Sequence, residues 1–202
     1  MYNYQGNNSL SSYYAIYSKN NKTITEKLEY KNIDDINFIT SLLEKFLNEK
    51  VCIHKLLYRA SRDGDSAINF HRNCDGIPNT LVIIETTKGK KFGGFTSQIW
   101  DRNGDYKSDE KCFLFSLNKK EIYYIKDPSI AIVCFKNKGP NFGRGNDICI
   151  EDNCMRTNQN FTSQSSFYYR DVNFALNEEK YFTVKDYDVY QVDFGDYSII
   201  QK

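Results

Sequence analysis

The 202-residue chain contains only two histidines, His54 and His71, and a single tryptophan, Trp100. A serine or cysteine nucleophile needs a base within reach, and no GxSxG or comparable nucleophile turn accompanies either histidine. The sequence therefore gives no support to triad chemistry. We interpret both histidines as structural residues.

Long apolar runs and an excess of one charge are also absent. The apolar stretches, such as 81–84 and 130–135, are far too short to cross a bilayer, and the N-terminus is polar and Asn-rich. Twenty-seven Lys and Arg against 26 Asp and Glu leave a formal charge of +1, so no global field attracts nucleic acid or an anionic membrane. We expect no signal peptide, no membrane insertion, no nucleic-acid partner and a cytoplasmic location.

The cysteines lack a CxxC pair. They are scattered at Cys52, Cys74, Cys112, Cys134, Cys149 and Cys154. We interpret them as free thiols that pack as small hydrophobic groups in a reducing compartment. His71 and Cys74 are the best metal-ligand candidates, but a second pair with matching spacing is missing. We therefore predict no metal and no cofactor.

The chain divides into a tail and a domain. Residues 1–31 are rich in Asn, Ser and Tyr, and we expect them to form a mobile N-terminal tail. Residues 32–202 have the size of one domain with its own core. We predict a single domain over that range and leave its oligomeric state open.

An amphipathic helix is predicted over Asn32–Lys50. Apolar residues recur there at helical spacing, at Ile33, Ile36, Ile39, Leu42, Leu43, Phe46 and Leu47. Asn32 can cap the helix, and Asp34 and Asp35 in the first turn favour its dipole. The apolar stripe should lie against the core, with docking to a partner chain as the alternative.

From Val51 onward, β-branched and aromatic residues with frequent turn signals favour an antiparallel β-sandwich. Residues 81–86 and 91–96 should pair as a hairpin around Gly89, and 112–117 and 121–125 as a second hairpin. Residues 130–135 form a candidate buried strand, and 181–192 one or two final strands. The fold class is therefore mainly β with a few helices.

Several glycines and polar residues are assigned to turns and caps. Gly64, Asp65 and Ser66 lack the later ligands of a calcium loop, and we predict a turn with a helix cap before a short helix near 66–74. No Gly-Lys-Ser/Thr follows the glycines of 139–145, so a shaped turn is favoured over a phosphate cradle. The residues assigned to turns, caps or close backbone approach are Gly64, Asp65, Ser66, Gly89, Gly93, Gly94, Gly139 and Gly143.

The loop 97–110 is the leading candidate surface for a partner. Trp100 is either a buried anchor or a partly exposed aromatic residue bordered by charges. In the second case Trp100, Arg102, Lys107 and Glu110 would form a partner-binding set.

Several motifs along most of the chain occur in the same order as in a known family. They are Leu57-Tyr58, Gly64 with Ser66, Pro78 before 81–84, Phe92-Gly93-Gly94-Phe95 leading to Ser97, Phe113-Leu114-Phe115-Ser116-Leu117, the glycines of 139–145, and Asp188-Val189-Tyr190. In this order they resemble the TLDc domain over roughly residues 51–192. One departure is that Asp109-Glu110-Lys111-Cys112 stands where many TLDc sequences have a Gly-Glu pair.

The resemblance implies a β-sandwich without an agreed catalytic site. It also implies a link to oxidative-stress resistance and binding to a peripheral subunit of the vacuolar proton-pumping ATPase. We therefore expect a non-catalytic protein-interaction module. Two alternatives stay open. One is a hydrolase that uses clustered carboxylates such as Asp63, Asp65 and Glu85, and the other is a carbohydrate-binding sandwich that uses some of the 16 tyrosines.

Overall fold

The computed structural model describes residues 13–19, 22–144, 146–163, 176–195 and 197–201. Within these ranges the α-helices are α1 Ile33–Leu47, α2 Ala60–Asp63 and α3 Ala67–Cys74, and a 3-10 helix spans Pro128–Ile130. The strands are β1 Tyr13–Lys19, β2 Lys22–Leu28, β3 Val51–Arg59, β4 Thr80–Thr86, β5 Lys91–Thr96, β6 Tyr106–Lys107, β7 Phe113–Ser116, β8 Glu121–Tyr124, β9 Ile132–Val133, β10 Lys138–Phe142, β11 Ile148–Glu151, β12 Asn160–Phe161, β13 Tyr181–Phe182, β14 Val184–Phe194 and β15 Tyr197–Gln201.

Two six-stranded antiparallel sheets form a sandwich. The front sheet has the order β3-β14-β4-β5-β7-β8, and the back sheet has the order β13-β12-β11-β10-β9-β6. One core cluster joins both sheets, with Val82, Phe92 and Leu114 from the front and Phe142 and Ile150 from the back. The predicted two-sheet sandwich is therefore confirmed. A further three-stranded sheet has the order β15-β1-β2.

The predicted amphipathic helix is confirmed as α1, which covers the outer face of the front sheet. Its buried residues Ile36, Ile39 and Leu43 share a second core cluster with Phe95, Phe113 and other residues of the front sheet. The Asn32 side chain caps the helix by accepting hydrogen bonds from the amides of Asp34 and Asp35, at 2.8 and 3.1 Å. The molecule thus has three layers, in the order helix, front sheet and back sheet.

The predicted hairpin β4–β5 is confirmed, with Glu85 opposite Lys91 across the turn. Gly89 has a φ of 77°, a left-handed conformation that glycine adopts without strain. Gly94 faces the back sheet, where a Cβ atom would lie 2.8 Å from side-chain atoms of Leu114 and Phe142. The glycine therefore lets the two sheets approach closely. At Gly93 a Cβ atom would collide with the Val82 carbonyl oxygen.

Two segments differ from their predictions. Only Ile132 and Val133 of the run 130–135 form a strand, because the run begins in the 3-10 helix Pro128–Ile130, which Asp127 caps through the amide of Ser129. Residues 139–142, predicted as part of a turn, belong to β10, which pairs with β11 with an irregularity between Lys138 and Asn141. The turn itself begins at Gly143, which has a φ of 79°, and Gly145 lies outside the described residues.

The N-terminal region contains β1 and β2, which pair with each other, and β1 also pairs with β15. Both strands fall within residues 1–31, for which the sequence predicts a mobile tail. Residues 1–12 lie outside the described ranges, and the mobility of this region stays a prediction. So does the boundary of the single domain at residue 32.

Candidate functional site

The loop 97–111, between β5 and β7, is built around a buried tryptophan. The Trp100 side chain is 1% exposed, and its Nε1 donates a hydrogen bond to Thr80 Oγ1 at 2.9 Å. Its ring packs edge-on against Phe70 and Phe142, with centroid distances of 5.5 and 5.6 Å. Of the two predicted placements of Trp100, the buried anchor is confirmed and the partly exposed one is wrong, because contacts with α3 and both sheets enclose the ring. Trp100 anchors the loop to the core.

Asp109 organises the loop from inside. It is 4% exposed and accepts hydrogen bonds from Thr96 Oγ1, Ser97 N, Ser97 Oγ and Lys111 N, at 2.6 to 3.0 Å. These bonds tie the two ends of the loop to one carboxylate. Sequence reasoning selected the neighbouring Glu110, which is exposed, and missed Asp109.

The charged residues predicted for the surface lie around this loop. Arg102 donates to Asp75 Oδ2 at 3.0 Å, and its side chain is 51% exposed. Lys107 forms an ion pair with Asp101 and donates to the Ile99 carbonyl, both at 2.6 Å. Arg102 and Lys107 are thus held by the fold, whereas Glu110 projects from it.

Two exposed apolar side chains stand on the same loop. Ile99 is 40% exposed, and Tyr106, on the edge strand β6, is 47% exposed. The Lys107 ammonium donates a hydrogen bond to the Ile99 carbonyl and so ties Ile99 to β6, the strand that carries Tyr106. We name Ile99, Arg102, Tyr106 and Glu110 the loop surface. It combines apolar groups with both signs of charge on a fixed backbone.

The first amide of α3 is capped by a side chain that is distant in sequence. Ser66 occupies the N-cap position, but its side chain forms no capping hydrogen bond. The amide of Ala67 instead donates to Asp152 Oδ1 at 2.8 Å, and Asp65 pairs with Arg156 at 2.7 Å. Gly64 ends α2 with a φ of 94°. The predicted turn and short helix are present, whereas the predicted local side-chain cap is wrong, because Asp152 from the turn after β11 replaces it.

The candidate metal ligands His71 and Cys74 are used within the fold. His71 contacts Asp75 and the Phe135 carbonyl through its two ring nitrogens. Cys74 is buried, and burial raises the pKa of its thiol well above the ordinary value. In the part of the chain that the structure describes, His, Cys, Asp and Glu side chains form no group of three that could hold a metal ion.

The carboxylates proposed for a hydrolase pair with different cations. Asp63 pairs with Arg62, Asp65 with Arg156, and Glu85 with Lys185. Hydrogen bonds from Arg62 lower the pKa of Asp63. Catalytic acids need a raised pKa and a shared cleft. These three residues therefore do not form the convergent cluster that the hydrolase alternative requires.

A cleft of about 170 Å³ does lie beside the start of α1, lined by Lys31, Asp35, Glu85, Asp186 and Asp188 among others. Burial would raise the pKa of Asp186, but the pKa is lowered because hydrogen bonds from Lys31 and Ser61 outweigh it. Asp186 is therefore a paired carboxylate with a lowered pKa, which makes it a poor general acid.

The exposed tyrosines do not form an aromatic row. Among the described side chains, the strongly exposed ones are Tyr106, Tyr124 and Tyr181. They lie on β6, β8 and β13, three different edge strands of two sheets. A sugar-binding face would need them side by side.

The six thiols are buried and free of disulfides. Burial raises the pKa of Cys134 to about 11 and that of Cys149 to about 12. Because the thiolate is the reactive form, a pKa near 11 leaves a thiolate fraction of roughly 10⁻⁴ at pH 7. These two thiols are poorly suited to react directly with oxidants.

No helix in the described ranges is long and apolar enough to cross a membrane.

Parts of the chain are similar in sequence to known proteins. A 63-residue match to the mTOR-associated protein MEAK7 of Danio rerio has 33% identity and covers 31% of this chain and 14% of that protein. An 89-residue match to the Gallus gallus protein of the same name has 35% identity and covers 43% of this chain and 18% of that protein. The chain thus matches only a small part of these relatives.

The family assignment rests on a longer match. The family model for the TLDc domain matches residues 11–193. That range includes α1, the front sheet and the strands of the back sheet described above. It also starts before the region of resemblance predicted from the motifs. The chain belongs to the TLDc domain family.

Proposed function

We propose that this chain is a non-catalytic, cytoplasmic protein-interaction module that binds its partner through the loop surface. The observation that carries the proposal is the pair of exposed side chains, Ile99 and Tyr106, on a loop that Trp100 and Asp109 hold rigid. Aromatic anchors on a preorganised backbone bind with a low entropic cost. Arg102 and Glu110 at the rim can orient the partner.

The proposed partner is a peripheral subunit of the vacuolar proton-pumping ATPase, as the family resemblance implies. A link to oxidative-stress resistance would then act through that partner, because the raised pKa values of Cys134 and Cys149 disfavour direct peroxide chemistry. An mTOR-containing assembly is the second candidate, because the MEAK7 relatives are named as mTOR-associated proteins.

The test is a binding titration of the purified chain against the soluble sector of the proton pump. We expect Tyr106→Ala to weaken binding by about 2 kcal/mol, roughly 30-fold, because an exposed anchor is removed without opening the core. The matched control is Tyr124→Ala, since Tyr124 is 49% exposed on β8 in the other sheet. We expect that variant to bind like the parent.

The possible outcomes of this titration test the partner assignment and the binding surface independently. A parent protein that does not bind at micromolar concentration would reject the pump as partner, and the same titration against an mTOR-containing complex would then test the second candidate. Equal binding by the parent and the Tyr106→Ala variant would reject the loop surface. Melting curves must show that both variants fold.

A further inference from the structure

One edge of the back sheet lies in the loop that carries the loop surface. In the described ranges β6 is the terminal strand of that sheet, and it pairs with β9, with Tyr106 opposite Val133 and Lys107 opposite Ile132. A terminal strand offers the hydrogen-bonding groups of its outer side to another chain. The edge at β6 is therefore a place where a strand from a partner can join the sheet.

The backbone bonds on either side of Tyr106 show which way its own groups point. The amide of Cys134 donates to the Asp105 carbonyl at 3.2 Å, and the amide of Ala131 donates to the Lys107 carbonyl at 2.9 Å. Both flanking carbonyls thus face β9. Successive residues of a strand alternate in the side to which their N–H and C=O point. Tyr106 therefore directs one donor and one acceptor away from β9, toward the free side of the edge.

This donor and acceptor match one residue of an incoming antiparallel strand, which can exchange both bonds with Tyr106. Side chains of directly opposed residues lie on the same face of a sheet, so the opposing side chain would pack beside the Tyr106 ring. That ring is 47% exposed. Cross-strand pairs of an aromatic and a β-branched residue are stabilising. The edge thus fits an apolar, β-branched residue opposite Tyr106.

The charges beside Tyr106 select the next residue of the incoming segment. Asp105 and Glu110 are exposed, and neither carboxylate forms an ion pair within the described part of the chain. Lys107, in contrast, is already paired with Asp101 at 2.6 Å. In antiparallel pairing the residue that follows the apolar one stands opposite Asp105. A Lys or Arg side chain there would form a cross-strand pair of opposite charge.

We propose that the partner of the loop surface contributes an extended segment that joins the back sheet beside β6, with an apolar residue opposite Tyr106 followed directly by a basic residue opposite Asp105. Main-chain hydrogen bonds supply the affinity, and the two side-chain positions supply the specificity. Ile99, which Lys107 ties to β6, adds apolar contact. The assignment of this segment to a pump subunit rests on the proposed function, whereas the edge itself rests on the backbone of β6.

The first measurement is amide exchange by NMR on the full chain alone. We expect the Tyr106 amide to exchange within about threefold of its intrinsic rate, because it has no acceptor. The amides of Ala131 and Cys134, which are bonded to β6, should exchange at least about tenfold more slowly. A Tyr106 amide that is protected at low protein concentration would overturn the free edge. Protection that appears only as the protein concentration rises would assign the edge to a second copy of this chain and overturn the proposed occupant.

The second measurement adds the peptide acetyl-Ser-Thr-Val-Arg-Thr-Ser-amide at up to about 5 mM, the range that a weak edge contact requires. We expect resonance shifts at Asp105, Tyr106 and Lys107, and about tenfold slower exchange of the Tyr106 amide at saturation, because it gains an acceptor. The control peptide carries Glu in place of Arg and should bind about fivefold more weakly, because its carboxylate meets Asp105. Absence of shifts along β6 would overturn the docking, and equal binding of the two peptides would overturn the charge selection.

The third measurement removes the donor alone. The α-hydroxy analogue of tyrosine at position 106 turns the amide into an ester, so the N–H is lost and the side chain stays. The matched control has the same analogue in place of Tyr124 on β8, the terminal strand of the front sheet. We expect the ester at position 106 to weaken binding of the Val-Arg peptide about fivefold and the control to leave it unchanged, because one hydrogen bond is lost only at β6. Equal binding by the parent and the position-106 ester would overturn strand addition.

A charge variant covers the case in which the ester does not fold. Asp105→Asn removes the carboxylate from an exposed position and should bind both peptides alike, whereas a retained preference for Arg would overturn the pairing with Asp105. If the peptide binds as expected but the parent does not bind the pump's soluble sector, the partner assignment fails and the edge stands. If the soluble sector binds but the peptide does not, the edge fails and the partner stands.

Discussion

Replacing Asp188 with alanine is expected to lower the free energy of unfolding by about 3–5 kcal/mol, because it leaves a partly buried cation without its partner. The Arg59 guanidinium forms two parallel hydrogen bonds with the Asp188 carboxylate, both 2.8 Å long. Lys31 and the Tyr190 hydroxyl also bond this carboxylate, at 3.0 and 2.9 Å. Urea unfolding followed by circular dichroism measures the change.

The matched control for Asp188→Ala is Lys185→Ala on the same strand. Lys185 pairs with Glu85 at 2.8 Å, but its side chain is 61% exposed. Because solvent screens an exposed pair, we expect Lys185→Ala to change the free energy of unfolding much less than Asp188→Ala does. A loss below about 1 kcal/mol for Asp188→Ala would show that the network does not hold the start of α1 to the front sheet.

Replacing Asp147 with asparagine is expected to stabilise the protein at neutral and higher pH. Asp147 is 1% exposed, and neither carboxylate oxygen has a hydrogen-bond partner. Burial raises its pKa from 3.8 to about 7. Between these values the folded chain keeps a proton that the unfolded chain has lost, so stability falls as the pH rises through this window, by up to about 4 kcal/mol in total.

The Asp147→Asn variant removes this titration. Thermal unfolding of both proteins between about pH 4 and about pH 8 should show curves that meet near pH 4, separate progressively up to about pH 7 and then run parallel, with the variant more stable. The exposed residue Asp105 provides the control variant Asp105→Asn, for which we expect no such separation. Parallel curves for the parent and the Asp147→Asn variant would contradict a raised pKa at this site.

Local patterns predicted the elements whose contacts are local. The stripe from Ile36 to Leu43 identified α1, since an apolar face with helical period must be buried. The hairpin β4–β5 followed from Gly89 between two strand-like runs. In both cases neighbours in sequence decide the conformation, and the prediction needs no knowledge of the remaining chain.

The candidate site depends on contacts between residues that are far apart in the chain, and the sequence alone could not predict these contacts. Trp100 stands before a charged run, which suggested exposure, but Phe70 and Phe142 enclose it from other elements. No sequence pattern marked Asp109 as important, because its hydrogen-bond donors, Thr96 and Ser97, come close to it only after the loop folds back on itself. His71 and Asp75 have the i, i+4 spacing of a helical pair. Nothing in the sequence indicates the Phe135 carbonyl that makes this pair unusual.

The most direct test of the interaction surface is site-specific photo-crosslinking in native lysate, with a photoreactive phenylalanine analogue in place of Tyr106 or, as control, Tyr124. Both side chains are about half exposed, at 47% and 49%, so their access to solvent is matched. We predict that position 106 crosslinks to a peripheral subunit of the vacuolar proton pump and that position 124 does not. Crosslinking of that subunit from position 124 but not from position 106 would contradict the loop surface as the docking site.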